Sequence, residues 1–227
     1  MNLDSIKARI AKLLAKAEGT TNQFEADSFM TKVNELLEEH QIELNEIRAM
    51  GGDNDPMGKQ DGETNLYASI KWARDVAGAL ARFYGCRFVY WRRGNHFKYD
   101  IIGRESARVT FELMLPFVIT QAKLQAKKCF ADDIYRTNTL PVWEREVGQA
   151  LYMRIWGLVP KAEERRDELT KNALVPVNDV QAFMDDQYGE LKTGKKITLN
   201  YGRAARDAAE KVSLNVQTTH VKTKRIQ

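Results

Sequence analysis

Residues 86–102 read CRFVYWRRGNHFKYDII, and this stretch decides the fold class. β-branched and aromatic residues dominate it on both sides of Gly94-Asn95, a two-residue turn signal, so it predicts an antiparallel β-hairpin. Elsewhere apolar residues recur at helical spacing. The predicted fold class is α+β, mainly helical: an N-terminal helical hairpin, a linker, and then a helical domain with one antiparallel β-hairpin.

The predicted turn also sets the register of the β-hairpin. It pairs Trp91 with Lys98 and Tyr90 with Tyr99, and strand alternation then sorts the side chains onto two faces. One face is predicted to pack on the core, and it carries Phe88, Tyr90, Phe97, Tyr99 and Ile101. The other face is predicted to point outward, and it carries Arg87, Trp91, Arg93, His96 and Lys98.

Two amphipathic helices are predicted upstream of the β-hairpin. The first has an apolar stripe between residues 6 and 17, and the second has one between residues 26 and 37. Asn22 with Glu25 three residues later resembles a capping box, which would start the second helix. The two stripes together predict a helical hairpin.

The composition divides the chain into four parts. Residues 1–50 are predicted to form the helical hairpin domain. Residues 51–65 are rich in glycine and acidic groups with little that is apolar, and they are predicted to be a flexible linker. The helical domain with the β-hairpin is predicted at residues 66–214, and a basic tail at residues 215–227.

Glycine and proline positions predict where the later helices change direction. Gly85 is expected to end one helix in a left-handed conformation, Pro116 to kink another, and Pro160 to end or bend a third. A short strand is predicted at residues 197–199. The predicted helices lie at residues 64–84, 106–132, 141–158, 161–172, 178–188 and 201–214.

The charge of the chain is concentrated in its middle. The 227 residues carry a net charge of +4, but residues 66–130 alone carry +8, whereas the first 65 residues are acidic. No apolar run approaches the roughly 18 residues of a membrane span, and the start lacks the pattern of a signal peptide. We therefore expect a cytoplasmic protein whose two cysteines, Cys86 and Cys129, are thiols.

The outward face of the β-hairpin is the candidate nucleic-acid site. Cations displace counterions from phosphates and an indole can stack on an exposed base, so Arg87, Trp91 and Lys98 suit that ligand. The alternative is that Trp91 packs on a helix and the charges only solvate a sheet edge. Two lysines on one helical face, Lys123 and Lys127, could extend the surface or simply be solvated.

The sequence lacks the residue patterns of metal sites, hydrolases and nucleotide-binding phosphate loops. Three histidines and two cysteines without paired spacing predict no metal site, and we expect no cofactor. No nucleophile elbow or phosphate-loop spacing is present. The acidic pairs Asp132-Asp133 and Asp185-Asp186 would have to bind magnesium in a nuclease, but adjacent side chains on a helix diverge.

Residues 6–42, reading IKARIAKLLAKAEGTTNQFEADSFMTKVNELLEEHQI, resemble the family of domains of unknown function numbered 2786, DUF2786. Gln41 departs from the glycine that is common there. The Trp72 helix and the stretches YDIIGRES, WEREVGQAL and YGRAARDAAEKV resemble an uncharacterised module that follows that domain in phage-type proteins. The resemblance implies a phage or mobile-element accessory protein in the host cytoplasm, and it brings no catalytic residue with it.

Three functions follow as hypotheses. The first is a nonenzymatic nucleic-acid-associated accessory protein of a phage or mobile element, which the basic middle segment favours. The second is a protein-interaction module in which the acidic N-terminal hairpin binds a host or phage protein. The third is a metal-dependent nuclease. The sequence predicts neither an oligomeric state nor a choice between DNA and RNA.

Overall fold

The computed structural model describes residues 3–22, 24–33, 35–36, 56–62, 70–93, 96–135, 138–171, 179–189 and 199–214. Helices account for most of these residues, together with one antiparallel sheet, which confirms the predicted α+β, mainly helical class. The helices are α1 (Leu3–Gly19), α2 (24–33 and 35–36), α3 (Lys71–Phe83), α4 (Glu105–Asp132), α5 (Leu140–Lys171), α6 (Asp179–Tyr188) and α7 (Arg203–Glu210).

The sheet contains the predicted β-hairpin and a third strand. Its strands are β1 (Met57–Gly62), β2 (Arg87–Arg93) and β3 (His96–Arg104), in the order β1-β3-β2. The register of β2 against β3 is the predicted one, because Trp91 pairs with Lys98 and Tyr90 with Tyr99. The strand β3 is therefore central.

The strand β1 lies in the segment that we predicted to be a flexible linker, residues 51–65. That prediction is wrong for residues 57–62, which pair with β3 from Met57↔Arg104 to Gly62↔Tyr99. Glycine and charged residues have low strand propensity, but pairing with a central strand overrides it. The rest of the predicted linker lies outside the described residues.

Among the described residues, β1 pairs with β3 as far as Gly62. Residues 96–98 pair with β2 and, within the described part of the chain, with no other strand. We call residues 91–93 and 96–98 the distal ribbon. It carries the candidate indole, Trp91.

Both faces of the sheet are covered near its base, which corrects the prediction of one core face and one outward face. Tyr99 and Ile101 are buried in the core as predicted. Phe88 packs on Phe111 of α4, with 6.5 Å between the ring centroids. On the opposite face Asp100 and Ile102 are also buried, because α6 packs against β1 and β3 there. Tyr90, predicted to face the core, is 45% exposed.

The N-terminal helical hairpin is confirmed, and it packs on the rest of the molecule. Its buried stripes belong to the same hydrophobic cluster as α3, α4 and α5. Lys128 of α4 also forms an ion pair with Asp27 of α2, with 3.4 Å between Nζ and Oδ1. Asn22 starts α2 by accepting a hydrogen bond from the Phe24 amide, while Glu25 accepts one from Thr20.

The structure bears on the helix ends predicted at Gly85 and Pro160 and on the strand predicted at residues 197–199. Gly85 has φ of +85°, the left-handed conformation that was predicted there. Pro160 does not end its helix, because α5 runs through it from Leu140 to Lys171. Leu199 is not in a strand, while residues 197–198 lie outside the described residues. The start of the helix predicted at residues 64–84 also lies outside them, as far as residue 69. No helix in the described ranges is long and apolar enough to cross a membrane.

Candidate nucleic-acid interface

Trp91 and Lys98 form the start of the candidate interface. They are directly opposite each other on β2 and β3, so their side chains stand on the same face at the beginning of the distal ribbon. The Trp91 side chain is 38% exposed and Lys98 is partly exposed. This pair presents a cation and an open indole side by side, as the sequence predicted.

Arg87 lies on the same face of β2 as Trp91, four residues earlier. Its side chain is partly buried, and burial lowers the pKa of its guanidinium. The nearby charge of Arg82 lowers that pKa further, while the carboxylate of Glu163 raises it. Arg87 is thus a partly buried cation on the face of β2 that carries Trp91.

The other two predicted residues of this face are only partly described. Arg93 and His96 pair with each other at the end of β2 and the start of β3. Their side chains lie outside the described part of the structure.

Lys123 and Lys127 lie apart from the β-hairpin. The hairpin meets α4 at Phe111, and these two lysines are about 18 and 24 Å farther along the helix axis. That half of α4 borders α2 and α7, since Lys128 contacts Asp27 and the Cys129 thiol lies 4.0 Å from the Ala204 carbonyl oxygen. The extension of the hairpin surface by Lys123 and Lys127 stays a prediction.

Two arginine–aromatic contacts were not predicted from the sequence. Arg74 of α3 lies over the Tyr90 ring, at 4.7 Å from its centroid. Arg82 of the same helix lies over the Trp156 ring of α5, at 5.4 Å. Helical spacing marks Arg74 and Arg82 as neighbours on one face of α3, but it does not say which aromatic rings α5 and β2 bring to them.

Trp156 is the second exposed indole of the described chain. It is 42% exposed and lies nearly parallel to Tyr152, with ring centroids 6.1 Å apart and an interplanar angle of 11°. Arg82 also pairs with Glu163, with 3.0 Å between Nε and Oε1. The two tryptophans that remain, Trp72 and Trp143, are buried.

A buried carboxylate, Asp100, lies near the base of the sheet on the face of β3 that also carries Lys98. Asp100 is 1% exposed, accepts a hydrogen bond from the Tyr188 hydroxyl of α6, and has the Lys59 ammonium 3.8 Å away. Asp61 lies directly opposite it on β1. Burial raises the pKa of the Asp100 carboxyl, the Tyr188 hydrogen bond lowers it, and Asp61 raises it again.

The structure offers no support for metal-dependent cleavage by the acidic pairs. Asp133 accepts hydrogen bonds from the Asn138 amide and the Trp143 indole, and Asp185 accepts one from Gln181. Among the residues whose positions are described, no group of three or more His, Cys, Asp or Glu could hold a metal ion. These carboxylates serve local hydrogen bonding.

Comparison with known proteins identifies the N-terminal part alone. Residues 5–44 match the model of a family described as protein of unknown function, DUF2786, which confirms the resemblance seen in the sequence. The match covers α1 and the described part of α2. No curated protein and no solved structure matches the chain. The resemblance of the later residues to a phage-type module stays a prediction.

Proposed function

We propose that the chain binds nucleic acid through the distal ribbon and the face of β2 that leads to it, as a nonenzymatic accessory protein of a phage or mobile element. The observation that carries this proposal is the exposed Trp91 indole beside its cross-strand partner Lys98 at the start of the distal ribbon. An indole stacks on any base, and cations beside it neutralise phosphates.

The charge distribution supports the same ligand. The segment with the net charge of +8, residues 66–130, contains α3, the β-hairpin and all but the last two residues of α4. Polyanions are attracted to such a region at low salt, and the attraction weakens as the Debye length shortens. Binding through phosphates therefore has a measurable signature, the dependence of affinity on salt.

The interaction-module hypothesis gains no specific support. It requires the N-terminal hairpin to offer an apolar groove or helix face to a partner. The apolar stripes of α1 and α2 are instead buried against the remainder of the molecule. A host or phage protein partner stays a prediction.

Fluorescence anisotropy with labelled DNA and RNA oligonucleotides tests the proposed function. We expect affinity to fall by about threefold per phosphate contact between about 50 and about 200 mM salt. Trp91→Ala should weaken binding at least about fivefold, because a lost base stack costs about 1–3 kcal/mol. Lys98→Gln should reduce the slope of log affinity against log salt by about 0.7–0.9.

Matched controls come from exposed residues elsewhere in the chain. Tyr135→Ala removes an aromatic ring that is exposed on the loop after α4, and Lys12→Gln removes an exposed lysine of α1. Both should bind as the unaltered chain does. The proposal fails if no oligonucleotide binds, if affinity ignores salt, or if Trp91→Ala binds normally.

A further inference from the structure

We propose that the chain forms a symmetric dimer, in which an exposed stripe of α5 packs antiparallel on the same stripe of a second copy. The stripe begins at the exposed Arg145 and ends at the exposed Glu164, with Met153 and Trp156 at its centre. Such a dimer forms without nucleic acid, so it stands or falls separately from the proposed function.

One face of α5 stays open in the part of the chain that the structure describes. The helices α3, α4 and α7 pack on its other sides, where Leu151 and Ile155 are buried. Met153 and Trp156 are instead 41% and 42% exposed, and Pro160 one turn later is exposed as well. Neighbouring exposed apolar side chains on one helix face are typical of an interaction surface.

Trp156 is positioned to act as the anchor of this surface. Its ring lies nearly parallel to Tyr152, with 6.1 Å between the centroids, and the Arg82 guanidinium lies 5.4 Å from the indole centroid. A ring that its neighbours already hold loses little side-chain freedom on association. Binding energy at interfaces is concentrated in such tryptophans, and methionine is enriched there too. The centre of the stripe therefore has the composition of an interface core.

The spacing of the stripe is the same in both directions from its midpoint. Its members recur at intervals of three and four residues, which puts them on one face of the helix. They are residues 145, 149, 153, 156, 160 and 164. Arg145 lies eight residues before Met153, and Glu164 lies eight residues after Trp156. A two-fold dimer requires a self-complementary surface of this kind, in which each residue faces its counterpart twice.

An antiparallel pair of α5 helices aligns opposite charges at both ends of the stripe. With the two-fold axis at the midpoint, Met153 lies level with Trp156 of the partner subunit, and Arg145 lies level with the partner subunit's Glu164. Within one chain Arg145 and Glu164 are 19 residues apart, about 28 Å along the helix, so they cannot contact each other. A parallel pair would instead set like charges level with each other. The charge pattern thus favours a second copy in the antiparallel direction.

Sedimentation equilibrium of the full chain without nucleic acid measures the association. We expect a mass of twice the 26.0 kDa of one chain. Trp156→Ala should raise the dimer Kd at least about 100-fold, because two-fold symmetry removes the anchor twice. Tyr135→Ala removes an aromatic ring that is exposed on the loop after α4, and it should leave the Kd unchanged. Unchanged helical circular dichroism verifies that each variant is folded.

Charge reversal tests the antiparallel arrangement. Arg145→Glu and Glu164→Arg each set like charges level with one another at both ends, so each variant alone should self-associate about tenfold more weakly or worse. An equimolar mixture of the two variants should associate as the unaltered chain does, because opposite charges then face each other across the two copies. Lys12→Glu changes the net charge by the same amount at an exposed position of α1, and it should leave the Kd unchanged.

Three results would overturn the proposed dimer. The first is a chain that remains monomeric up to about 100 μM, a concentration at which even a weak dimer is populated. The second is a dimer whose Kd does not respond to Trp156→Ala, since another surface would then hold it together. The third is a mixture of Arg145→Glu and Glu164→Arg that associates no better than either variant alone.

Discussion

Asp100 illustrates how a single residue links distant parts of this fold. It is buried on the central strand, where Tyr188 of α6 donates a hydrogen bond to it and Lys59 and Asp61 face it from β1. One of its carboxylate oxygens is buried without a hydrogen-bond partner. A buried carboxylate with an incomplete set of partners is costly to ionise.

The stability of the protein should therefore depend on the protonation of Asp100. Its pKa is raised above the ordinary 3.8, so the folded state retains a proton that the unfolded chain has released. The free energy of unfolding should fall as pH rises from 3.8 through the folded-state pKa. Asp100→Asn keeps an acceptor for Tyr188 without the charge, and it should remove this dependence. Urea denaturation from pH 4 to pH 8 checks it.

A constant difference in the free energy of unfolding between the two chains across that pH range would contradict this prediction. Asp186→Asn is the matched control. Its carboxylate is exposed on α6 and accepts a hydrogen bond from the neighbouring Gln187, so its removal should leave the pH dependence in place.

Sequence pattern could not have found this contact. Alternation puts Asp100 on the face that was predicted to be open, and Tyr188 is 88 residues away in the chain. The same holds for Arg154, which donates to the carbonyl oxygens of Ala209 and Val212 at the end of α7. Contacts between residues distant in sequence depend on tertiary packing, which periodicity does not encode.

At the scale of elements, the contact of α3 with α5 depends on a glycine. Trp72 of α3 packs against Gly148, where a Cβ atom would lie 2.7 Å from the indole Cδ2. The sequence shows Trp72 and Gly148 at helical positions in two predicted helices, but it does not show that the two helices meet there. The close approach brings α3 against α5, the two helices that carry Arg82 and Trp156.

Gly148→Ala should destabilise the protein by about 1–3 kcal/mol, because the added methyl group overpacks the Trp72 ring. Gly157→Ala, on the same helix, should stabilise it by up to about 1 kcal/mol, since nothing lies within 4 Å of the added Cβ and alanine favours the helix. Thermal unfolding followed by circular dichroism measures both changes. Equal effects of the two substitutions would contradict this account.

The strands show which elements sequence can and cannot predict. The β-hairpin was predicted with its register because its aromatic and β-branched residues and its Gly94-Asn95 turn are local signals. The strand β1 carries no such signal, since its residues read MGKQDG. Its extended conformation comes from pairing with β3, so composition alone predicted a linker.

At the scale of the whole molecule, the N-terminal hairpin and the remaining helices share one core. Ile10 and Leu14 of α1 and Val33 of α2 are buried in the same cluster as Leu80, and α1 packs on α4. The predicted boundary near residue 50 is therefore not a boundary between independent hydrophobic cores. Deletion of residues 1–50 would expose the apolar surface of α4 that the hairpin covers.

Ile10→Ala should lower the stability of the entire protein by about 2–5 kcal/mol, because it leaves a cavity in the shared core. All four tryptophans lie after residue 70, so their fluorescence reports on the later elements. We expect the midpoint of urea unfolding, followed by that fluorescence, to lie at a lower urea concentration in the variant. An unshifted tryptophan transition would mean that the hairpin unfolds independently. Ala15→Gly, at an exposed position of α1, controls for a change in the helix alone.

The shared core also has a consequence for how the DUF2786 segment can be transplanted. Residues 5–44 supply two helices whose apolar faces are buried against α4, a helix outside the matched segment. The segment therefore contains only part of a hydrophobic core. Grafting it onto another protein should succeed when the recipient provides a helix that can cover these apolar faces as α4 does. If the segment is to be produced without the rest of the chain, it should be fused to α4.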